Sequence, residues 1–167
     1  MAVQTGRTQS KYVKFQLDDS GGTMRDVPIT SINGVGLNYP EVDVSAIQDA
    51  VKGFLTGQPD FSLEISGPID TAAAQAASGS GSAAALSGSH TVLSDLPGGV
   101  TPLGFGIYIG IRHNWETGEP VFGLAASAAN GVICINYAPN PVDGMYTATF
   151  RLYPGSAAPA WGTAAIS

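Results

Sequence analysis

Apolar and polar residues alternate along much of this chain. In residues 12–17, Val13, Phe15 and Leu17 share one face and Tyr12, Lys14 and Gln16 the other, which is the period of a half-buried strand. Asp18-Asp19-Ser20-Gly21-Gly22 reads as a turn, and residues 23–32 as its partner strand, with Pro28 forcing an edge or bulge. Phe61, Leu63 and Ile65 alternate with Ser62, Glu64 and Ser66. In residues 104–111, Phe105, Ile107, Ile109 and Ile111 face one way, and Gly104, Gly106, Tyr108 and Gly110 the other. A glycine face implies close approach of another backbone. Residues 121–125, 132–137 and 145–152 complete the strand set, with a turn at Asn140-Pro141-Val142-Asp143-Gly144.

Only residues 43–57 carry a helical pattern. Ser45 and Gln48 have capping-box spacing, and Ile47, Val51, Phe54 and Leu55 fall on one stripe before Gly57. The pattern predicts a mainly β protein: two packed antiparallel sheets, a sandwich or open barrel, with one flanking helix at about 45–56. The organisation predicted is a flexible arm (1–10), one domain (11–153) and an irregular tail (154–167). Residues 71–90 form an insertion in which Ala, Ser and Gly dominate. That composition predicts a mobile loop, or an arm that orders against a neighbour.

Composition narrows the function. Charged residues are only 12%, about half the usual share, which fits a surface covered by sister subunits or a neutral surface β-domain. Net charge is −6, which argues against tight nucleic-acid binding. Residues 1–25 hold Arg7, Lys11, Lys14 and Arg25 against Asp18 and Asp19, a net +2 that leaves −8 for the rest. Such asymmetry allows head-to-tail docking between copies. The basic residues Lys11, Lys14 and Arg25 are therefore candidate subunit contacts. Trp115 and Trp161, in predicted loops, join them because tryptophan is enriched at interfaces. The single cysteine, Cys134, sits in an apolar run and reads as a buried free thiol. Residues 1–20 show no apolar run of the signal-peptide kind, and no stretch is long and apolar enough to span a membrane.

The residues offer no catalytic constellation. His90 and His113 lack companion ligands at zinc spacing, with His90 read as a hydroxyl-bonded histidine and His113 as solvated. Asp18-Asp19-Ser20-Gly21-Gly22 lacks the calcium-loop pattern, and Glu116 and Glu119 read as solvated loop charges. No catalytic residue, metal or cofactor is expected.

The succession over residues 12–70 is more specific. The strand Tyr12-Val13-Lys14-Phe15-Gln16-Leu17 leads into Asp18-Asp19-Ser20-Gly21-Gly22-Thr23-Met24-Arg25-Asp26-Val27. Asp43-Val44-Ser45 and Phe61-Ser62-Leu63-Glu64-Ile65-Ser66-Gly67 follow. This order resembles the major tail tube proteins of long-tailed bacteriophages. The resemblance implies hexameric rings stacked into a tube, a virion location after assembly in the host cytoplasm, and no active site. It also implies contacts with tape-measure, terminator and tip proteins, and a bore through which DNA passes without specific binding. A negative bore repels phosphates and lets them slide. Two alternatives remain: a capsid decoration protein, also β-rich and multimeric, and a carbohydrate-binding module using Trp115, Trp161 and Tyr108.

Overall fold

A computed structural model describes residues 6–46 and 51–167. After a short 3-10 turn at Ser10–Tyr12, the chain runs through β1 (Val13–Asp18), β2 (Met24–Val27), β3 (Ser31–Asn33), β4 (Glu41–Asp43), β5 (Phe54–Thr56) and β6 (Ser62–Pro68). A second half follows: β7 (Ala85–Leu86), α1 (Ser89–Leu93), β8 (Phe105–Ile109), β9 (Val121–Leu124), β10 (Val132–Asn140), β11 (Met145–Leu152) and β12 (Ala160–Gly162). One sheet has the order β12-β9-β8-β1-β2-β7 and a second the order β10-β11-β6-β3, while β4 and β5 pair only with each other. All ladders are antiparallel except that of β2 with β7. The architecture is the expected one: mainly β, packed antiparallel sheets, no closed barrel and a single short α-helix among the described residues.

The alternation in the sequence builds the core. Phe15 and Leu17 of β1, Phe105 and Ile107 of β8 and Phe122 of β9 point inward from the first sheet. They meet Leu63, Ile65, Ala148, Phe150, Val132 and Cys134 from the second, all at most 3% exposed. The register places Leu63 opposite Phe150 and Ile65 opposite Ala148 on one face. The Asp18–Gly22 turn forms as predicted. The Oδ1 of Asp19 accepts the amides of Gly21 and Thr23 at 2.9 Å each. Gly22 sits at φ +75°, where a side chain is disfavoured.

The outer face of the first sheet is also covered, and by this chain itself. Tyr108, Trp115 and Val121 form a second small core, with Ala165 and Ile166 packed on it. The glycine face therefore does receive a close backbone, but from its own loops. A Cβ on Gly110 would lie 2.2 Å from the carbonyl oxygen of His113.

Three expectations are corrected. The helix about 45–56 is not where the chain places one. Glu41–Asp43 pairs with Phe54–Thr56, and the Val44 amide donates to the Gly53 carbonyl, so the flanks of that segment are a β-hairpin. Residues 47–50, which carry part of the predicted stripe, lie outside the described residues. Val42, Val44 and Val51 are β-branched and Gly53 lowers helix propensity. The Ser45 hydroxyl accepts the Gly53 amide across the hairpin (2.8 Å) instead of capping a helix. The α-helix instead begins at the end of the low-complexity stretch, where Ser89 Oγ donates to the Pro68 carbonyl and accepts the Asp70 amide. Five residues are too few to show a helical period.

Residues 71–90 are not a free arm. Residues 72–78 are exposed, but Gly81 is held by Gln16 on β1. The Gln16 side chain accepts the Gly81 amide at 2.9 Å and donates to the Gly81 carbonyl. Ala85–Leu86 then pairs with β2, and Arg25 donates to the Gln75 carbonyl. The tail is not wholly irregular either: Ala160–Gly162 pairs with β9, and the Ile166 amide donates to the Tyr108 hydroxyl at 2.9 Å.

Candidate subunit interface

Charged and titratable groups are mostly bound up in structural roles. Lys14 pairs with Asp26 at 3.0 Å and Arg25 with Asp19 at 2.8 Å, so both basic candidates are engaged within their own subunit. For Asp19, burial pushes the carboxyl up. The Thr23 amide, the Arg25 guanidinium and the Gly21 amide together outweigh burial and hold it below the ordinary value. Asp18 behaves oppositely: burial raises it, although the Gly104 amide donates to Oδ2 at 2.7 Å.

Trp115, one of the two tryptophan candidates, is buried within its own chain rather than displayed on an open loop. It is 2% exposed, edge-on to Tyr108 at 4.9 Å, and its Nε1 donates to the Glu119 carbonyl. Glu119 is not a solvated charge either. It is 1% exposed and accepts the amides of Ile111 and Glu116 at 3.0 Å each. His113 sits 3.5 Å from the same carboxylate. The cluster staples the 110–120 loop over the sheet. His90 bonds the Tyr137 hydroxyl at 2.9 Å, the role read from the sequence. Among the described residues no group of three or more His, Cys, Asp or Glu side chains could hold a metal ion.

Beside its charged residues, the surface keeps exposed apolar side chains and open sheet edges. Lys11 is exposed, with Nζ 4.8 Å above the Tyr12 ring. Trp161 is 57% exposed on β12, packed against Phe122. Among the described residues, a run of exposed large apolar side chains lies on and beside the β4–β5 hairpin. Tyr39, Val42, Val44, Val51, Phe54 and Leu55 are all at least 48% exposed. Val42 is registered against Leu55, so the two share a face that Val44 also joins; Glu41 and Asp43 lie on the other. A two-stranded ribbon is marginal in water by itself. Sequence reasoning missed this surface because it assigned Val51, Phe54 and Leu55 to a helix stripe. The signal present was the Val42/Val44 alternation.

A groove of about 500 Å³ lies on the domain, lined by Ser10, Lys11, Val13 and residues 29–32. Its floor is the half-buried margin of the core, Val13, Ile29 and Ile32. One wall is β3, which pairs with β6 on one side and ends its sheet on the other. Among described ladders, the far end of β10 likewise pairs only with β11, and a bulge between Cys134 and Asn136 leaves Ile135 exposed there.

No family model matches this chain, and no curated protein is similar to it in sequence. Its fold does have solved counterparts. A chain in the structure of the anti-feeding prophage cap, described as the AFP tube terminating cap, superposes with a TM-score of 0.59. The match is at 13% identity and covers 98% of this chain and 95% of that one. A chain in the structure of an extracellular contractile injection system, the PVC sheath/tube terminator in the extended state, gives a TM-score of 0.56. There the identity is 9%, and the match covers 96% of this chain and 99% of the other. At these identities the likeness is one of fold, and it runs end to end.

Proposed function

We propose that this chain is a non-enzymatic structural subunit of a phage-type tail or injection particle, and that copies of it form a ring at the end of the tail tube. The observation that carries the reading is the end-to-end fold likeness to chains from tube-terminating assemblies. The low charge content, the exposed apolar hairpin and the unpaired sheet edges support a domain finished by its neighbours. The partners in this reading are further copies and the tube beneath them. A net charge of −6 per copy suits a bore that lets DNA pass without gripping it.

A second reading is the tube subunit itself, stacking hexameric rings into the conduit for DNA ejection. The tail-tube-like succession over residues 12–70 favours it. Negative-stain microscopy of the purified protein separates the two. Single rings of uniform size support a terminator, and long tubes a tube subunit. Isolated monomers at every concentration, or trimers that bind capsid shells, would overturn both.

A further inference from the structure

The hairpin and the groove carry complementary chemistry. The hairpin presents Val42, Val44 and Leu55 on one face and the exposed acids Glu41 and Asp43 on the other. Lys52 lies 4.0 Å from Asp43, and at the base of the hairpin Asp60 pairs with Arg151, so Glu41 and Asp43 carry its acidic character. The groove has an apolar floor, a sheet edge for a wall, and Lys11 at its rim. The stretch 7–14 that leads into it holds Arg7, Lys11 and Lys14 and no acid. Lys14 is neutralised by Asp26, whereas Lys11 makes no ion pair among the described residues.

We infer that the β4–β5 hairpin of one copy docks in the Lys11/β3 groove of the next. The contact buries Val42, Val44 and Leu55 against Val13, Ile29 and Ile32, and leaves Glu41 and Asp43 on the outer face of the docked ribbon, on the side of the groove rim that carries Lys11. A strand of the incoming hairpin can pair with the free edge of β3, which would complete both a marginal ribbon and an open sheet. Because hairpin and groove are different surfaces of one chain, the contact is heterologous. It propagates from copy to copy and closes when the rotation allows. Gly34 at φ +81° and Gly36 at φ +118° join β3 to the hairpin, a connection that residues with side chains adopt rarely and that sets the angle at which the hairpin leaves. The inference rests on the self-assembly reading and names the surfaces that would carry it.

Two variants disable one half each. Val42→Ser with Leu55→Ser removes the apolar face of the hairpin. Lys11→Glu with Thr30→Glu places two acids at the groove opposite an acidic hairpin. All four positions are exposed, so thermal melts should match wild type. In sedimentation velocity each variant alone should self-associate about tenfold or more weakly than wild type. Mixed one to one, they should form a heterodimer and nothing larger, since the intact hairpin of one meets the intact groove of the other and both remaining ends are disabled. Should either variant unfold, a second pair serves. Glu41→Lys with Asp43→Lys should block assembly, and adding Lys11→Glu and Thr30→Glu in the same chain should restore it. Variants that still form wild-type rings, or folded variants that stay monomeric when mixed, would overturn the interface and leave the tail reading standing. A wild-type protein that never associates would overturn both.

Discussion

The Gln16–Gly81 contact determines whether residues 71–90 are an arm or part of the domain, and a substitution can measure it. Gln16 is fully buried and satisfies both backbone groups of Gly81. Gly81 also touches Trp115, since a Cβ there would lie 2.8 Å from the indole ring. Gln16→Leu keeps the volume but removes the side-chain donor to the buried Gly81 carbonyl and the side-chain acceptor of its amide, which the Tyr108 hydroxyl also approaches. Each loss costs about 1–3 kcal/mol, so about 3 kcal/mol of lost stability is expected in total. For a domain of this size that lowers Tm by about 6–12 °C. Urea unfolding gives the free energy, and limited proteolysis locates the damage, which should appear first within residues 73–84. Gln16→Glu adds a check of sign. A buried carboxylate there has its folded pKa raised, so the penalty is full above that pKa. It shrinks as pH falls and the protonated acid regains a donor for the Gly81 carbonyl. A loss below about 1 kcal/mol for Gln16→Leu, with no new cleavage, would refute the claim that this contact ties the segment down.

Three further outcomes follow from the geometry. Asp19 is held below its ordinary value of 3.8, so its stabilisation is present above that pH and is lost as pH falls through the lower folded value. Asp19→Asn should therefore destabilise the protein at neutral pH and converge on wild type in acid melts; a difference that grows in acid would reverse the assignment. Burial pushes the Cys134 thiol up to about 11, so native protein at pH 8 holds roughly one thiolate in a thousand. Its reaction with a thiol reagent should be at least about a hundredfold slower than in urea, and equal rates would show the β10 interior to be open. Raising salt from about 0.1 M to 1 M cuts the screening length from roughly 10 Å to 3 Å, which should slow assembly and leave finished rings intact. Salt-independent kinetics would remove the charge contribution of Lys11, Glu41 and Asp43.

Period-two alternation was legible wherever one face meets the core, as in β1, β6, β8 and β11. The Asp18–Gly22 turn was legible because Asp19 and Gly22 each have a local role that composition reveals. The hairpin at 38–60 was not, because Val51, Phe54 and Leu55 fit a helical stripe by spacing alone. Local periodicity cannot reveal a surface that lacks its partner. The burial of Trp115 and Glu119 was not legible for a related reason. A loop residue is exposed by default, and here the loop folds back over a sheet whose glycines make room for it. Gly104, Gly106 and Gly110 carried that signal, but not whether the covering backbone belonged to this chain or another. Residues 71–90 were misplaced because their anchor, Gln16, lies far away in sequence and looks like an ordinary outward-facing strand residue. Of the basic candidates, Lys14 and Arg25 found acids on β2 and in the first turn, pairings that only register defines. Lys11 and Trp161 stayed at the surface.

A cryo-microscopy reconstruction of the assembled wild-type protein tests the central claim most directly. The account predicts a closed ring in which each β4–β5 hairpin lies against β3 and Lys11 of its neighbour, around a bore lined more by Asp and Glu than by Lys and Arg. Trimers seated on a shell lattice, a bore lined mainly by basic residues, or particles no larger than one chain would contradict it.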